Sequence, residues 1–542
     1  MILRASWPAI FEREQSRKVI LVTLLFGWLD PFRPPRRHIA LEPGALRFST
    51  HPDTVVTESA TSRKVPFWPW ILEWPEIEYR MEPADHRAEI AETTVRLAAG
   101  AKIGLELPFQ GGLQAALARI DLWSDGVTFD GLIRLLQGPV RNAALDARTG
   151  GVQLSISDGA PEREVRFPDV LTREDFHDAS EEVIGFAGRQ FILGDVVEDL
   201  PAIPIDGRDD PRGVKRFYVG EPAPFQQNPT QWFKGGRAIA PPKVYTATMP
   251  ASLVDYVEAE FEQPVIDLIG GLSGDITFTG ARGTTELHPI LFLLDAGNYE
   301  VSPAGRQLLR GLGVVNIEEL NAVINSPAPI LDLVFNRLVP QTSLVGTFRQ
   351  GQVHFFKLFS DGPQVSLGIG TGLRYRLREA INETPLDNVF NVFEIRCGRT
   401  QLGGEQDDLN PLFRILRTPT DPNTPKAMRG LLSQSQQAYG VRAHPPVDAG
   451  DLVVLFDEDG VPTGSPAGEA LADLLVKLNA HVHRSYRYAA TWLRGMALDL
   501  NWRVLLTDAD EGATDLPTRV VGWRLAATGP VLTLQTEDAT AK

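Results

Sequence analysis

Sulfur is scarce in this chain: 542 residues carry one cysteine, Cys397, and five methionines. A single cysteine excludes an intrachain disulfide and a cysteine-based zinc site. Its neighbours Phe393-Glu394-Ile395-Arg396 read as a strand, so the thiol is expected to be buried and inert rather than nucleophilic. Basic charge is short as well. Lys and Arg total 53 against 69 Asp and Glu, a formal net charge of -16. That argues against a chain devoted to nucleic-acid binding, because phosphate contacts need clustered Lys and Arg. The densest basic run, Arg33-Pro34-Pro35-Arg36-Arg37-His38, is read as a solvated loop. Long apolar runs are missing too. The longest near the N-terminus, Val19 to Leu29, is far below the roughly 20 residues that span a bilayer. No small-residue cleavage site follows it, so it is expected to be a buried strand, and no stable membrane association is expected.

The familiar catalytic signatures are also absent. No Gly-x-Ser-x-Gly elbow and no His-Glu-x-x-His occurs. Gly311-Leu312-Gly313-Val314-Val315-Asn316 begins like a dinucleotide fingerprint but ends in Asn and follows a helical pattern rather than a strand. It is read as a tight helix–helix turn, and Glu318 and Glu319 downstream would repel a phosphate. Gly368-Ile369-Gly370-Thr371-Gly372 lacks the Gly-Lys-Ser/Thr of a P-loop and is read as a flexible strand end. His481-Val482-His483 is the one close histidine pair. On a strand both rings would face one side, but at the end of a helix they would diverge by about 200°. With no acid beside them, they are read as ordinary side chains near a helix C-terminus. Carboxylates are abundant, yet a sequence does not certify the separation of about 5–10 Å that glycosidic cleavage needs. No catalytic, cofactor-binding or metal-binding residue is therefore assigned, and no cofactor is expected.

What the chain has is the grammar of β-hairpins. Apolar-rich stretches run into Ser124-Asp125-Gly126, Ser157-Asp158-Gly159 and Ser360-Asp361-Gly362. Asp-Gly tolerates positive φ and favours tight turns. Before the first two, apolar and polar residues alternate with the period of a half-buried strand. Asp457-Glu458-Asp459-Gly460 is a related turn after Leu452 to Phe456. The 41 prolines and 48 glycines suit many such connections. Val65 to Pro75 holds three tryptophans and three prolines. Proline blocks regular ladder pairing, so this stretch is expected to be an aromatic loop or edge that packs domains together.

Helical signals are fewer. Thr172-Arg173-Glu174-Asp175 approximates a capping box, which predicts a short helix. Ser302-Pro303 opens a helical stretch within 302–340. Residues 405–440 are read as helical, broken by the prolines of 418–425. Ser465-Pro466 opens a helix whose Ala470, Leu471, Leu474, Leu475 and Leu478 form one apolar stripe. Gln226 to Pro242 is read as a Pro-rich linker. The overall reading is an α+β, β-rich multidomain chain: residues 1–165, a β-rich domain; 166–240, an α+β insertion with linker; 241–400, a second β-rich domain with the helical segment 302–340; and 401–542, a C-terminal α+β domain.

Three regions resemble the tail-hub, or baseplate-hub, proteins of tailed bacteriophages. They are Asp121-Leu122-Trp123-Ser124-Asp125-Gly126-Val127-Thr128-Phe129-Asp130-Gly131-Leu132-Ile133, then Phe217-Tyr218-Val219-Gly220-Glu221-Pro222, and the C-terminal helix 466–480 followed by strands at Trp502–Thr507, Thr518–Leu525 and Val531–Thr536. The resemblance implies two tube-like β-barrels per chain and a homotrimeric ring, so that six barrels match a sixfold tail tube. It implies a non-enzymatic virion protein at the tail tip, made in the host cytoplasm. Its partners would be a distal tail protein, a tape-measure protein and a central fibre or tip protein, with DNA only as passing cargo. The competing reading is an enzyme or binding module for cell-envelope polysaccharide, with Trp68, Trp70 and Trp74 as a sugar platform. On the two-barrel reading, the first and third Ser-Asp-Gly turns belong on different barrels.

Overall fold

The computed structural model describes residues 16–25, 45–82, 87–98, 116–145, 151–159, 165–179, 183–184, 191–193, 196–205, 215–220, 226–235, 237–262, 266, 276–282, 288–315, 320, 322–324, 326–358, 364–398, 413–457 and 461–537. The apolar run near the N-terminus forms strand Lys18–Leu25, in which Val19, Ile20, Leu21 and Val22 are fully buried. A continuous apolar strand of this kind needs cover on both faces. It is flanked by Ala45–Ser49 and Leu117–Ser124, and the sheet continues through Ile133–Leu145 and Val152–Ser157 to Glu92–Leu97.

Six strands in a row leave two edges, and exposed edges are liabilities. The Trp/Pro segment joins them. Trp68 N donates to Arg47 O (3.0 Å) and Ser49 N to Trp68 O (2.7 Å) on one side, while Leu72 N donates to Arg96 O (2.9 Å) and Ala98 N to Trp70 O (2.8 Å) on the other. The stretch expected to be a packing loop is thus the closing stave of the first barrel. Its prolines lie where no ladder bond is required.

A second barrel closes by strands alone. Its ring runs Ala513–Ala526, Arg503–Asp508, Gln364–Ile369, Gly372–Glu383, Arg484–Ala490, Gly529–Thr536 and back to Ala513–Ala526. The chain is therefore β-rich, with two barrels beside smaller α+β units. The strands of this ring come from 364–383 and 484–536. Between them sits an α/β unit built on Phe393–Cys397, Phe413–Arg417 and Val447–Ala449, covered by helices Lys426–Tyr439 and Pro466–Asn479. Its two ends are stitched together: Thr384 N donates to His483 O (3.0 Å) and His483 N to Thr384 Oγ1 (3.1 Å). An insertion that leaves where it enters does not disturb the barrel that carries it.

Strand Ile77–Glu82 links the barrels. It leaves the first barrel and pairs antiparallel with Ala513–Ala526 of the second, Tyr79 opposite Trp523. Arg87–Ala88, Leu344–Arg349 and Gln352–Lys357 extend the same sheet. One contiguous apolar core runs through both barrels, from Ile20 and Leu122 to Val504 and Leu532.

Several expectations need correction. Gly311, Leu312 and Gly313 lie inside helix Pro303–Val315, not at a turn between helices. Phe413–Arg417, expected to be helical, is a strand paired with Phe393–Cys397. The supposed linker contains strand Gln226–Lys234, which pairs with Ile276–Arg282. The capping-box bonds form, Thr172 Oγ1 donating to Asp175 Oδ2 (3.0 Å) and accepting from Asp175 N (3.3 Å), but only a turn follows. The other Asp175 oxygen accepts from Ala251 N and Ser252 N, so the carboxylate is spent on a long-range contact. Arg33 to His38 and Ser360 to Gly362 lie outside the described residues.

Cys397 is fully buried in the core of the α/β unit. Burial pushes its thiol up to about 11, against the opposing Ser465 hydrogen bond. The native protein is accordingly expected to give no reaction with a thiol reagent near pH 8, and one equivalent after denaturation. Labelling of the native protein at the rate of a free thiol would contradict this burial.

Candidate functional site: the joint between the barrels

The second Ser-Asp-Gly is not a hairpin turn. Asp158 is 1% exposed and stands where both barrels meet. Its Oδ2 accepts from Tyr79 Oη (2.6 Å) and from Gln350 N (2.6 Å). Its Oδ1 accepts from Gly351 N (2.8 Å) and Gln137 N (3.3 Å). Gly138 permits this approach, since a Cβ there would lie 1.9 Å from Ser157 O. The donors come from the first barrel, the linking strand and the Leu344–Lys357 hairpin. That hairpin turns on two residues, Gln350 (φ 58°) and Gly351 (φ 79°), both left-handed as in a type I′ turn. Gln350 is not glycine, so its conformation is held from outside, by Asp158 on its N–H and by Arg134 O on its side chain (2.6 Å).

Arg349 completes the joint. Its guanidinium lies 4.8 Å from the Tyr79 ring centre and 5.9 Å from that of Trp523, and it pairs with Asp499. Trp523 donates to Gly495 O (2.7 Å). Burial raises the pKa of Asp158, opposed by its hydrogen bonds from Tyr79, Gly351, Gln350 and Gln137. Burial and then the Asp158 charge raise Tyr79 well above the usual tyrosine range. Burial lowers Arg349. His354, on the same hairpin, is pushed down to about 3 by burial and by Arg349.

A cleft of about 380 Å³ opens next to the joint, between Ile77–Glu82, Gly529–Thr536 and the end of helix Pro466–Asn479. Among its lining residues Arg519 pairs with Glu537 (2.6 Å), Arg80 with Glu82 (3.3 Å) and Arg487 with Glu78 (3.9 Å), and Glu383 pairs with Arg484 outside the lining (3.0 Å). Most of the charge lining the cleft is therefore held in pairs.

His483 sits at the cleft wall. Its Nδ1 is 2.9 Å from Thr536 O and its Nε2 2.9 Å from Leu478 O, so neither nitrogen is turned to a metal. No group of three or more potential metal ligands occurs among the described residues. Gly368 to Gly372 forms the bend between two strands of the second barrel. The three tryptophans do not form one platform. Trp68 stacks on Trp70 at 5.1 Å, whereas Trp74 meets Trp492 of the second barrel edge-on at 6.3 Å. Sequence reasoning missed Asp158, Tyr79 and Arg349 as a group, because no local pattern joins residues 79, 158 and 349.

No family model matches the chain, and no curated protein matches it. Among solved structures, the 43 kDa tail protein of prophage MuSo2 from Shewanella oneidensis aligns over 89% of this chain and 96% of its own, at 10% identity and a TM-score of 0.34. A tail protein from Neisseria meningitidis MC58 aligns over 90% and 96%, at 9% identity and a TM-score of 0.36. A chain of the p2 virion baseplate in activated conformation aligns over 69% and 98%, at 8% identity and a TM-score of 0.18. The chain is thus similar to tail and baseplate proteins, the class its sequence resembles.

Two outcomes test the joint. Tyr79→Phe is expected to cost about 1–3 kcal/mol by leaving Asp158 short of a donor. Asp158→Ala should cost more, because it strands several buried donors, and the double variant should fall short of the sum by more than about 0.5 kcal/mol. Strict additivity in urea unfolding would show that the two do not act together.

His354 gives a pH dependence of known sign. Its folded pKa, about 3, lies below the ordinary 6.5. The unfolded chain therefore binds the extra proton between those values, and stability falls as pH drops through that window. The contribution is at most about 1.4 kcal/mol per pH unit. His354→Gln should flatten the wild-type slope of unfolding free energy between pH 7 and 4. Identical slopes would refute the burial of a neutral imidazole.

Proposed function

We propose that this chain is a structural component of a phage-type tail, a hub at the tail tip or baseplate that joins the tail tube to a central fibre or tip complex. One observation carries the proposal: a closed six-strand barrel and a six-strand sheet closed by an irregular stave in a single chain, joined by a shared sheet and one continuous core. Three such chains in a ring present six barrels, which matches a sixfold tube above with a threefold tip below. A homotrimer is therefore the expected assembly. The distal tail protein would meet the ring on its tube side, the tape-measure protein would end in its lumen, and the central fibre or tip protein would cap it. The net charge of -16 suits a passage through which DNA slides without adhering.

The role is mechanical rather than catalytic. The joint buries its charged groups, Asp158 among its donors and Arg349 against Asp499, and this supports fixed barrels and a mechanical role. The purified chain is expected to form a species of three times the monomer mass by light scattering. Electron microscopy should show a threefold ring with a central hole and two densities per subunit. A protein that stays monomeric at high concentration, or that degrades envelope polysaccharide, would overturn the proposal.

A further inference from the structure

One sheet edge on this chain stands open. Strand Lys243–Thr248 is the last of four in the order Ile203–Pro204, Lys215–Gly220, Asp255–Phe261, Lys243–Thr248. It pairs with Asp255–Phe261 through six consecutive residues without a bulge. Met249 N donates to Val254 O (2.9 Å), which fixes the phase of the ladder. Bonded and non-bonded pairs alternate along an antiparallel ladder. Lys243, Tyr245 and Ala247 therefore bond inward, and Val244, Thr246 and Thr248 turn their N–H and C=O groups outward. Among the described residues nothing pairs with that outer side. Every residue of the strand is half-buried or exposed.

Exposed edges are normally blunted by a charge, a proline or a bulge. Here the side chains that could do so are drawn back over the neighbouring strand. Lys243 Nζ donates to Glu262. Tyr245 Oη donates to Glu258 Oε1 (2.5 Å) and lies 2.9 Å from Glu260 Oε2. Thr248 Oγ1 donates to Asp255 Oδ1 (2.7 Å). Prolines stand only outside the strand, at Pro241, Pro242 and Pro250. They lack the N–H a ladder needs and so frame the edge 243–249. Thr246 is its midpoint, equally far from Pro242 and Pro250. Turned over on itself about Thr246, the edge is self-complementary. Thr246 meets Thr246, Val244 meets Thr248, and Tyr245 meets Ala247, a large side chain beside a small one. Lys243 meets Met249, so no like charges face each other.

We propose that this edge binds the same edge of a second copy of the chain, antiparallel and centred on Thr246. Val244 bonds to Thr248 of the second copy, Thr246 to Thr246 and Thr248 to Val244, about six backbone hydrogen bonds in all. The two four-stranded sheets become one continuous sheet. β-Branched residues at all three outward positions favour that pairing. The contact is isologous, so it closes on two chains and does not propagate. It goes beyond the ring proposed above. That ring needs a different surface, and this contact doubles whatever species the ring surface forms.

Light scattering of the full chain over a concentration series tests it. At high concentration the wild type is expected to reach double the mass at which Thr246→Pro stays. Proline removes the central donor and is tolerated on an edge whose N–H faces solvent. Thr246→Lys and Thr246→Glu, each alone, set like charges opposite each other and should weaken the doubling by about tenfold or more. An equal mixture of those two variants should double again, because residue 246 faces itself only in this register. Thr246 is exposed, and an unchanged circular dichroism spectrum and melting temperature certify the folded state of each variant. Equal masses for the wild type and all three variants at every concentration overturn the contact and leave the ring untouched. Failure of the mixture to recover overturns the pairing centred on Thr246. A wild type that only doubles from a single chain to a pair supports this edge and refutes the ring.

Discussion

One buried carboxylate decides how the two halves of this molecule sit. Asp158 gathers donors from strand Ile133–Leu145, strand Ile77–Glu82 and the 349–352 turn. In a low-dielectric interior each of those donors would be costly if left alone, and a fully satisfied network specifies a single arrangement. The register of the linking strand follows. A slip of one residue would turn Tyr79 away from Asp158 and Arg349, and with it the contact between Tyr79 and Trp523 across the two barrels. Burying Arg349 and Asp158 does not by itself add stability, since desolvation offsets much of the attraction. What the network secures is the choice of one geometry over its neighbours.

The rest of the architecture solves the problem of edges. The second barrel removes its edges by returning Gly529–Thr536 to Ala513–Ala526. The first barrel lacks a seventh full strand and uses an irregular one. Trp68 to Leu72 bonds to Arg47 and Ser49 on one side and to Arg96 and Ala98 on the other. Its aromatic residues supply apolar area that a short, proline-interrupted stave otherwise lacks. The free rim of Gln352–Lys357 is covered in turn: Ser302 N donates to Val353 O (2.9 Å) and Val353 N to Glu300 O (2.8 Å). Insertions are tolerated because they enter and leave at one place, as Thr384 and His483 show.

Much of this was legible in the sequence, wherever the signal is local. The apolar run at Val19, the strands near Asp121 and Arg503, and the Ser465-Pro466 helix start all appear where period and capping place them. The failures share a cause. Phe413–Arg417 is too short for its period to separate strand from helix, and its partner lies in another part of the chain. Gly311 and Gly313 looked like a break, yet the helix holds through them because Leu308 and Leu309 pack on the core beneath. Ser157-Asp158-Gly159 has the same letters as a surface turn. Only the fold shows that its carboxylate points inward to residues 79 and 351. No local pattern encodes a contact closed by chain segments nearly two hundred positions apart.

A catalytic site leaves groups poised, with an unmet charge or a displaced pKa aimed at open space. At the joint the shifted groups, Asp158, Tyr79 and Arg349, lie together and are closed to solvent. The open cleft beside them holds most of its charge in pairs. Perturbation of that kind holds groups in position.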